Sequence, residues 1–83
     1  MLNLQYFASV REQLGRESEQ LDLPADVTTV ADLAAWLAER GAPWALLTDA
    51  QQVLVAVDQE VVDRERTLTG QEEVAFFPPM TGG

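Results

Sequence analysis

The sequence predicts an α+β fold in which a mixed sheet of four to five strands carries one main helix on one face. Three stretches carry that prediction. Leu2, Leu4 and Tyr6 alternate with Asn3, Gln5 and Phe7, the period-two signature of a strand with one side on a core. Residues 74–77 form a second short apolar run, and Pro78 ends it because proline has no N–H to give to a ladder. Between these strands, residues 29–41 read as a helix with both ends marked.

The first strand fixes a local opposition. Tyr6 and Phe7 are adjacent and must point to opposite faces, so a buried Tyr6 leaves Phe7 outside. Residues 8–14 then predict a short helix with Val10 and Leu14 on its inner side, Arg11 facing outward and Gly15 as the C-terminal cap. A second strand is expected at Leu21 and Leu23, ahead of Pro24, with residues 16–20 as the turn before it.

For the main helix, Thr29 is the N-cap and Asp32 completes a capping box. Val30, Leu33, Ala34 and Leu37 share its apolar face. Arg40 is expected in its last turn, Gly41 at the left-handed cap and Pro43 beyond. Residues 44–47 predict another short turn, its tryptophan read, like Trp36, as core packing rather than ligand stacking. Residues 53–57 are a continuous apolar strand, residues 58–60 turn it, and Val61 and Val62 begin the return. Residues 63–66 alternate in charge and read as a solvated rim, and residues 68–71 form the turn into the final strand.

Composition narrows the chemistry. At 83 residues the chain makes one small domain, too small for a deep multi-walled active site. It has no Cys and no His, and all five of its basic residues are Arg. The usual zinc ligands, thiol nucleophiles and imidazole bases are therefore unavailable, as is a lysine side chain for self-linkage. No carboxylate pair reads as an acid/base set. A formal charge of −9 repels nucleic acid and anionic membrane and favours a basic protein partner. No apolar run matches a membrane span and no leader is visible, so a soluble, cytoplasmic domain is expected.

The end of the chain is the functional candidate. Residues 1–77 are read as the folded domain and residues 78–83 as an extended, flexible tail. Pro78 and Pro79 favour a polyproline-like path, followed by Met80, Thr81, Gly82 and Gly83. At 3.3–3.6 Å per residue the tail can reach roughly 20 Å, enough to enter another protein's active site. Without Cβ atoms, Gly82 and Gly83 can thread a narrow channel and present the Gly83 carboxylate as the reacting group.

The stretch Phe76-Phe77-Pro78-Pro79-Met80-Thr81-Gly82-Gly83 resembles the C-terminus of the small, sulfur-carrying subunit of molybdopterin synthase. Residues 6–12, residues 55–57 and residues 73–77 resemble the same family, so the resemblance spans nearly the whole chain. It implies a ubiquitin-like β-grasp fold with the first and last strands side by side. The family's usual Asp-Gly before the last strand is Gly70-Gln71 here, which leaves that turn's type open.

The resemblance further implies that an ATP-dependent, E1-like enzyme adenylates Gly83, and that sulfur then replaces one oxygen. The resulting thiocarboxylate would serve a pterin precursor inside the large synthase subunit, in a heterotetramer with two small subunits. No cofactor is expected on this chain, since it has no phosphate-cradling loop for the ATP. Phe7, Arg11, Phe77, Pro78, Pro79, Met80 and Thr81 are the expected partner-binding residues. In a competing arrangement one of the two Phe rings is covered by the Pro78-Pro79 segment. Two other classes stay open: a β-grasp sulfur donor for thiamine, a tungsten cofactor or tRNA, and a protein modifier or simple binding module.

Overall fold

The computed structural model describes residues 1–79. Its first strand, β1 (Leu2–Tyr6), buries Leu2, Leu4 and Tyr6 and leaves Asn3 and Gln5 on the other side, as the alternation predicts. Helix α1 (Ala8–Leu14) buries Val10 and stops at Gly15, whose φ of 69° is the left-handed cap.

The second strand departs from the expectation. It is β2 (Ser18–Leu21), antiparallel to β1 with Leu21 opposite Leu2 and Ser18 opposite Gln5. Gly15 reverses the chain so sharply that the Tyr6 N–H already reaches the Glu17 carbonyl at 2.9 Å. In this register Leu23 lies past the start of β1 and has no strand beside it. β2 is an edge strand, so polar Ser18 and Gln20 can stay exposed.

Helix α2 (Val30–Ala38) has the expected capping box. The Thr29 hydroxyl accepts from the Asp32 N–H at 3.2 Å, and the Asp32 carboxylate accepts from the Thr28 and Thr29 N–H groups at 3.1 and 3.2 Å. Two more donors of its first turn, the Val30 and Ala31 N–H groups, are met by the carbonyls of Arg66 and Arg64. Arg40 falls just beyond the last turn rather than within it: Glu39 is the C-cap and Gly41, at φ 95°, redirects the chain. A 3₁₀ turn, Trp44–Thr48, follows and buries Trp44 and Leu47.

β3 (Leu54–Val57) and β4 (Glu60–Val62) are joined by Asp58 and Gln59, at φ 50° and 70°. Two left-handed residues make the tight hairpin turn, so Glu60 belongs to the returning strand and not to the turn. Val53 stays in the core but precedes the ladder. Arg64 is no solvated rim: its guanidinium donates to the carbonyls of Leu47 and Val53 at 2.6 and 2.7 Å, tying the 3₁₀ turn to the start of β3.

β5 (Glu73–Phe77) completes a five-stranded sheet in the order β2-β1-β5-β3-β4. β1 and β5 are parallel neighbours at the centre, and every other pairing is antiparallel. With α2 and the sheet sharing one buried cluster, this is the β-grasp fold. No helix among the described residues is long and apolar enough to cross a membrane.

Candidate functional site

Alternation along four strands gives the sheet two faces. Leu4, Tyr6, Val55, Val57, Val74 and Phe76 point into the core beneath α2. Gln5, Ala75, Ala56 and Val61 stand opposite one another in a single row across the other face, from β1 to β4. No layer of the described residues covers that row. Its centre is low because two alanines sit there. Phe7 and Phe77 rise beside them, and with Gln5, Ala56, Gln59, Glu73 and Ala75 they line a shallow depression.

Phe7 reaches this position because β1 runs one rung further than its regular span. The Phe7 N–H donates to the Phe76 carbonyl at 3.0 Å, which sets Phe7 beside Phe77 on the same face. Phe7 is 47% exposed, whereas Phe77 is half-buried opposite Leu54. Pro78 continues half-buried from the strand end and Pro79 is exposed. Arg11 lies on the outer side of α1, its N–H bonded to the Phe7 carbonyl at 3.2 Å, and does not line the depression. Among the described residues Arg11 enters no ion pair. Met80, Thr81, Gly82 and Gly83, the rest of the expected site, lie outside the described residues.

Sequence reasoning singled out the two Phe residues and missed the row between Gln5 and Val61. Ala56 and Ala75 are visibly small beside their core-facing neighbours in the sequence, but that they adjoin, and that Val61 ends the row 64% exposed, comes only from the strand pairing.

Two carboxylates with deep hydrogen-bond shells were also missed. Glu72, 8% exposed, accepts from the Thr69 N–H and hydroxyl and from the Gly70 and Gln71 N–H groups, at 2.8 to 3.1 Å. Burial pushes its pKa up, but the hydrogen bonds from Thr69 and Gly70 outweigh that and hold the group ionised. Glu19 receives both arms of Arg40 at 2.8 and 2.9 Å, Arg16 at 3.1 Å and the Tyr6 hydroxyl at 3.0 Å. The Arg40 hydrogen bond is the main reason its carboxyl sits below the ordinary value, while burial and then Glu19 push the Tyr6 hydroxyl up. Arg40 also stacks 4.4 Å over the Trp44 ring, which packs edge-on to Tyr6 as core.

Both carboxylates are saturated by internal donors and act as braces: Glu72 fixes the turn into β5, and Glu19 ties β2 to the end of α2. Neither is left free for acid/base chemistry.

Comparison with known proteins gives the family. The model of the ThiS family matches residues 4–83. Over 83 residues, covering all of both chains, the sequence is 39% identical to the molybdopterin synthase sulfur carrier subunit of Haemophilus influenzae. It is 40% identical to that of Escherichia coli, again over the full length of both. Among solved structures, a putative molybdopterin converting factor, subunit 1, from Pyrococcus furiosus superposes with a TM-score of 0.73 at 24% identity, covering 94% of this chain and 95% of that one. The small archaeal modifier protein 1 of H. volcanii gives a TM-score of 0.69 at 19% identity, with 94% and 95% covered. At such identities these two structures share the fold with this chain and nothing finer is drawn from them.

Proposed function

The chain belongs to the ThiS family, and from that premise we propose that it is the sulfur carrier of molybdenum cofactor biosynthesis, acting as the small subunit of a molybdopterin synthase. The observation that carries this reading is end-to-end identity of 39–40% with two curated sulfur carrier subunits.

The carried group is the Gly83 carboxylate. A carboxylate is a poor electrophile, so an E1-like enzyme first attaches it to the α-phosphate of ATP and releases pyrophosphate. A sulfide-level nucleophile from the sulfur donor then attacks the acyl carbon and displaces AMP, leaving a thiocarboxylate and releasing a proton. In the large subunit the thiocarboxylate sulfur attacks a carbon of the pterin precursor as an oxygen leaving group departs from it, and water then cleaves the resulting thioester, leaving sulfur on the pterin and restoring the Gly83 carboxylate. This is sulfur transfer in which the small subunit provides the sulfur and the large subunit the pocket and its acid/base groups. ATP stays with the activating enzyme, and the carrier itself holds no cofactor.

Docking falls to the open face. Phe7, Phe77 and the alanine floor between them offer an apolar anchor at the root of the tail, Arg11 on the outer side of α1 supplies a cation outside that depression, and the tail that follows is the part that enters the partner's site. The acidic surface favours basic surroundings on both partners. The working assembly is a heterotetramer in the cytoplasm, with two carriers on a dimer of large subunits.

The test is the intact mass of the chain after incubation with its activating enzyme, ATP and a sulfur donor, against a version lacking Gly83. The expected result is a gain matching one oxygen replaced by sulfur, absent from the shortened chain. Amide adducts on other proteins would point instead to a protein modifier. A chain that never gains mass would be a binding module.

A further inference from the structure

Ala8 has a φ of 50°. In that region Cβ crowds the following carbonyl, and alanine is not among the residues that visit it readily. Among the described residues, the other non-glycine positions with positive φ, Asp58 and Gln59, sit in a two-residue hairpin turn that demands it. Ala8 has no such turn. Its side chain is exposed, so no burial of its own holds the backbone there.

The cause lies in its neighbours. Both backbone groups of Phe7 are committed: its N–H is a rung of the sheet to Phe76, and its carbonyl accepts from the N–H groups of Val10 and Arg11 at 3.0 and 3.2 Å. Phe7 is thus the last ladder residue and the N-cap of α1 at once. Val10 must turn inward, at 1% exposed, while Phe7 must stay outward beside Phe77. A single left-handed residue makes both possible. Relaxation of Ala8 to negative φ would break either the Phe7 rung or the burial of Val10.

We propose that Ala8 is a positioning residue for docking, its left-handed backbone locking Phe7 onto the open face in register with Phe77. This rests on the open face being the surface that binds the large subunit. Backbone strain at such a junction is retained where function needs a fixed geometry.

The experiment measures dissociation constants for the purified large subunit, with melting temperatures alongside, for Ala8→Gly, Ala8→Asn, Phe7→Ala and Phe7→Ala/Ala8→Gly in the full chain. Glycine reaches the same φ but many others too, so Ala8→Gly should melt within a few degrees of the parent yet bind about fivefold more weakly. Asparagine tolerates the left-handed region and should bind like the parent. The double variant should bind no more weakly than Phe7→Ala, because Ala8 acts through Phe7.

If Phe7→Ala weakens binding and Ala8→Gly does not, the role of Ala8 is overturned and the docking face stands. If Phe7→Ala binds normally, both fall. Should Ala8→Gly fail to fold, Ala8→Asn decides: a folded Asn variant that has lost affinity overturns the proposal.

Discussion

Tyr6 and Phe7 are neighbours in sequence and similar in size, yet Tyr6 is 1% exposed and Phe7 47%. On the adjacent strand Phe76 and Phe77 repeat the pair, one fully buried and the other half-buried. On the covered face the rings stack on each other, Tyr6 with Phe76 at 5.8 Å, and Trp44 closes the stack edge-on. On the open face the same two strands present rings with no layer of the described residues above them. The difference teaches that one pair of strands serves two surfaces: its inward residues hold the domain together, and its outward residues are the ones the proposed docking uses. Energy removed from one face should register as stability, and from the other as binding.

Phe76→Ala should have the largest effect, a loss of about 3–5 kcal/mol of stability, because it opens a cavity beneath α2 and removes the Tyr6 stack; urea unfolding measures it. Phe77→Ala should invert the pattern. Its stability cost should stay below about 1 kcal/mol, while binding to the large subunit weakens by about 2 kcal/mol, roughly thirtyfold, in calorimetric titration. A Phe77→Ala chain that unfolds instead would show the two faces to be one core.

Acid should act through the covered side. The Glu19 carboxyl has a folded pKa below its ordinary value of 4.5, chiefly through Arg40. Its bonds therefore contribute fully above about pH 4.5 and are lost as pH falls through the folded value. Glu19→Gln should cost roughly 1–2 kcal/mol at pH 7, and the gap to the parent should close in strong acid. The smallest effect expected is Thr29→Ala, about 1 kcal/mol from the loss of the α2 cap, with large-subunit affinity unchanged.

Much of this was legible in the sequence where a pattern is local. The alternation of Leu2, Leu4 and Tyr6, the Thr29 and Asp32 capping box and the Gly15 cap depend on residues a few positions apart, and each formed as read. The opposition of adjacent aromatics needed no more than strand geometry. What escaped is set by partners distant in sequence. Glu19 meets Arg40 across 21 positions, and Arg64 meets carbonyls 11 and 17 positions away. Ser18 to Leu21 looked too polar for a strand because only the register with β1 shows it to be an edge. The alanine floor escaped for the same reason, since Ala56 and Ala75 become neighbours only when β3 and β5 pair.

The strand order has a consequence for how the domain comes into being. β5, last to be synthesised, occupies the middle of the sheet between β1 and β3. Until it arrives, the β1-β2 hairpin and the β3-β4 hairpin have no common partner, and the core under α2 lacks Val74 and Phe76. Closure of the β1–β5 pair must span nearly the whole chain, a long-range contact of the kind that slows folding. The same strand leads directly into the tail. A growing chain therefore cannot bring Phe7 and Phe77 side by side before the residues that precede the tail have been made.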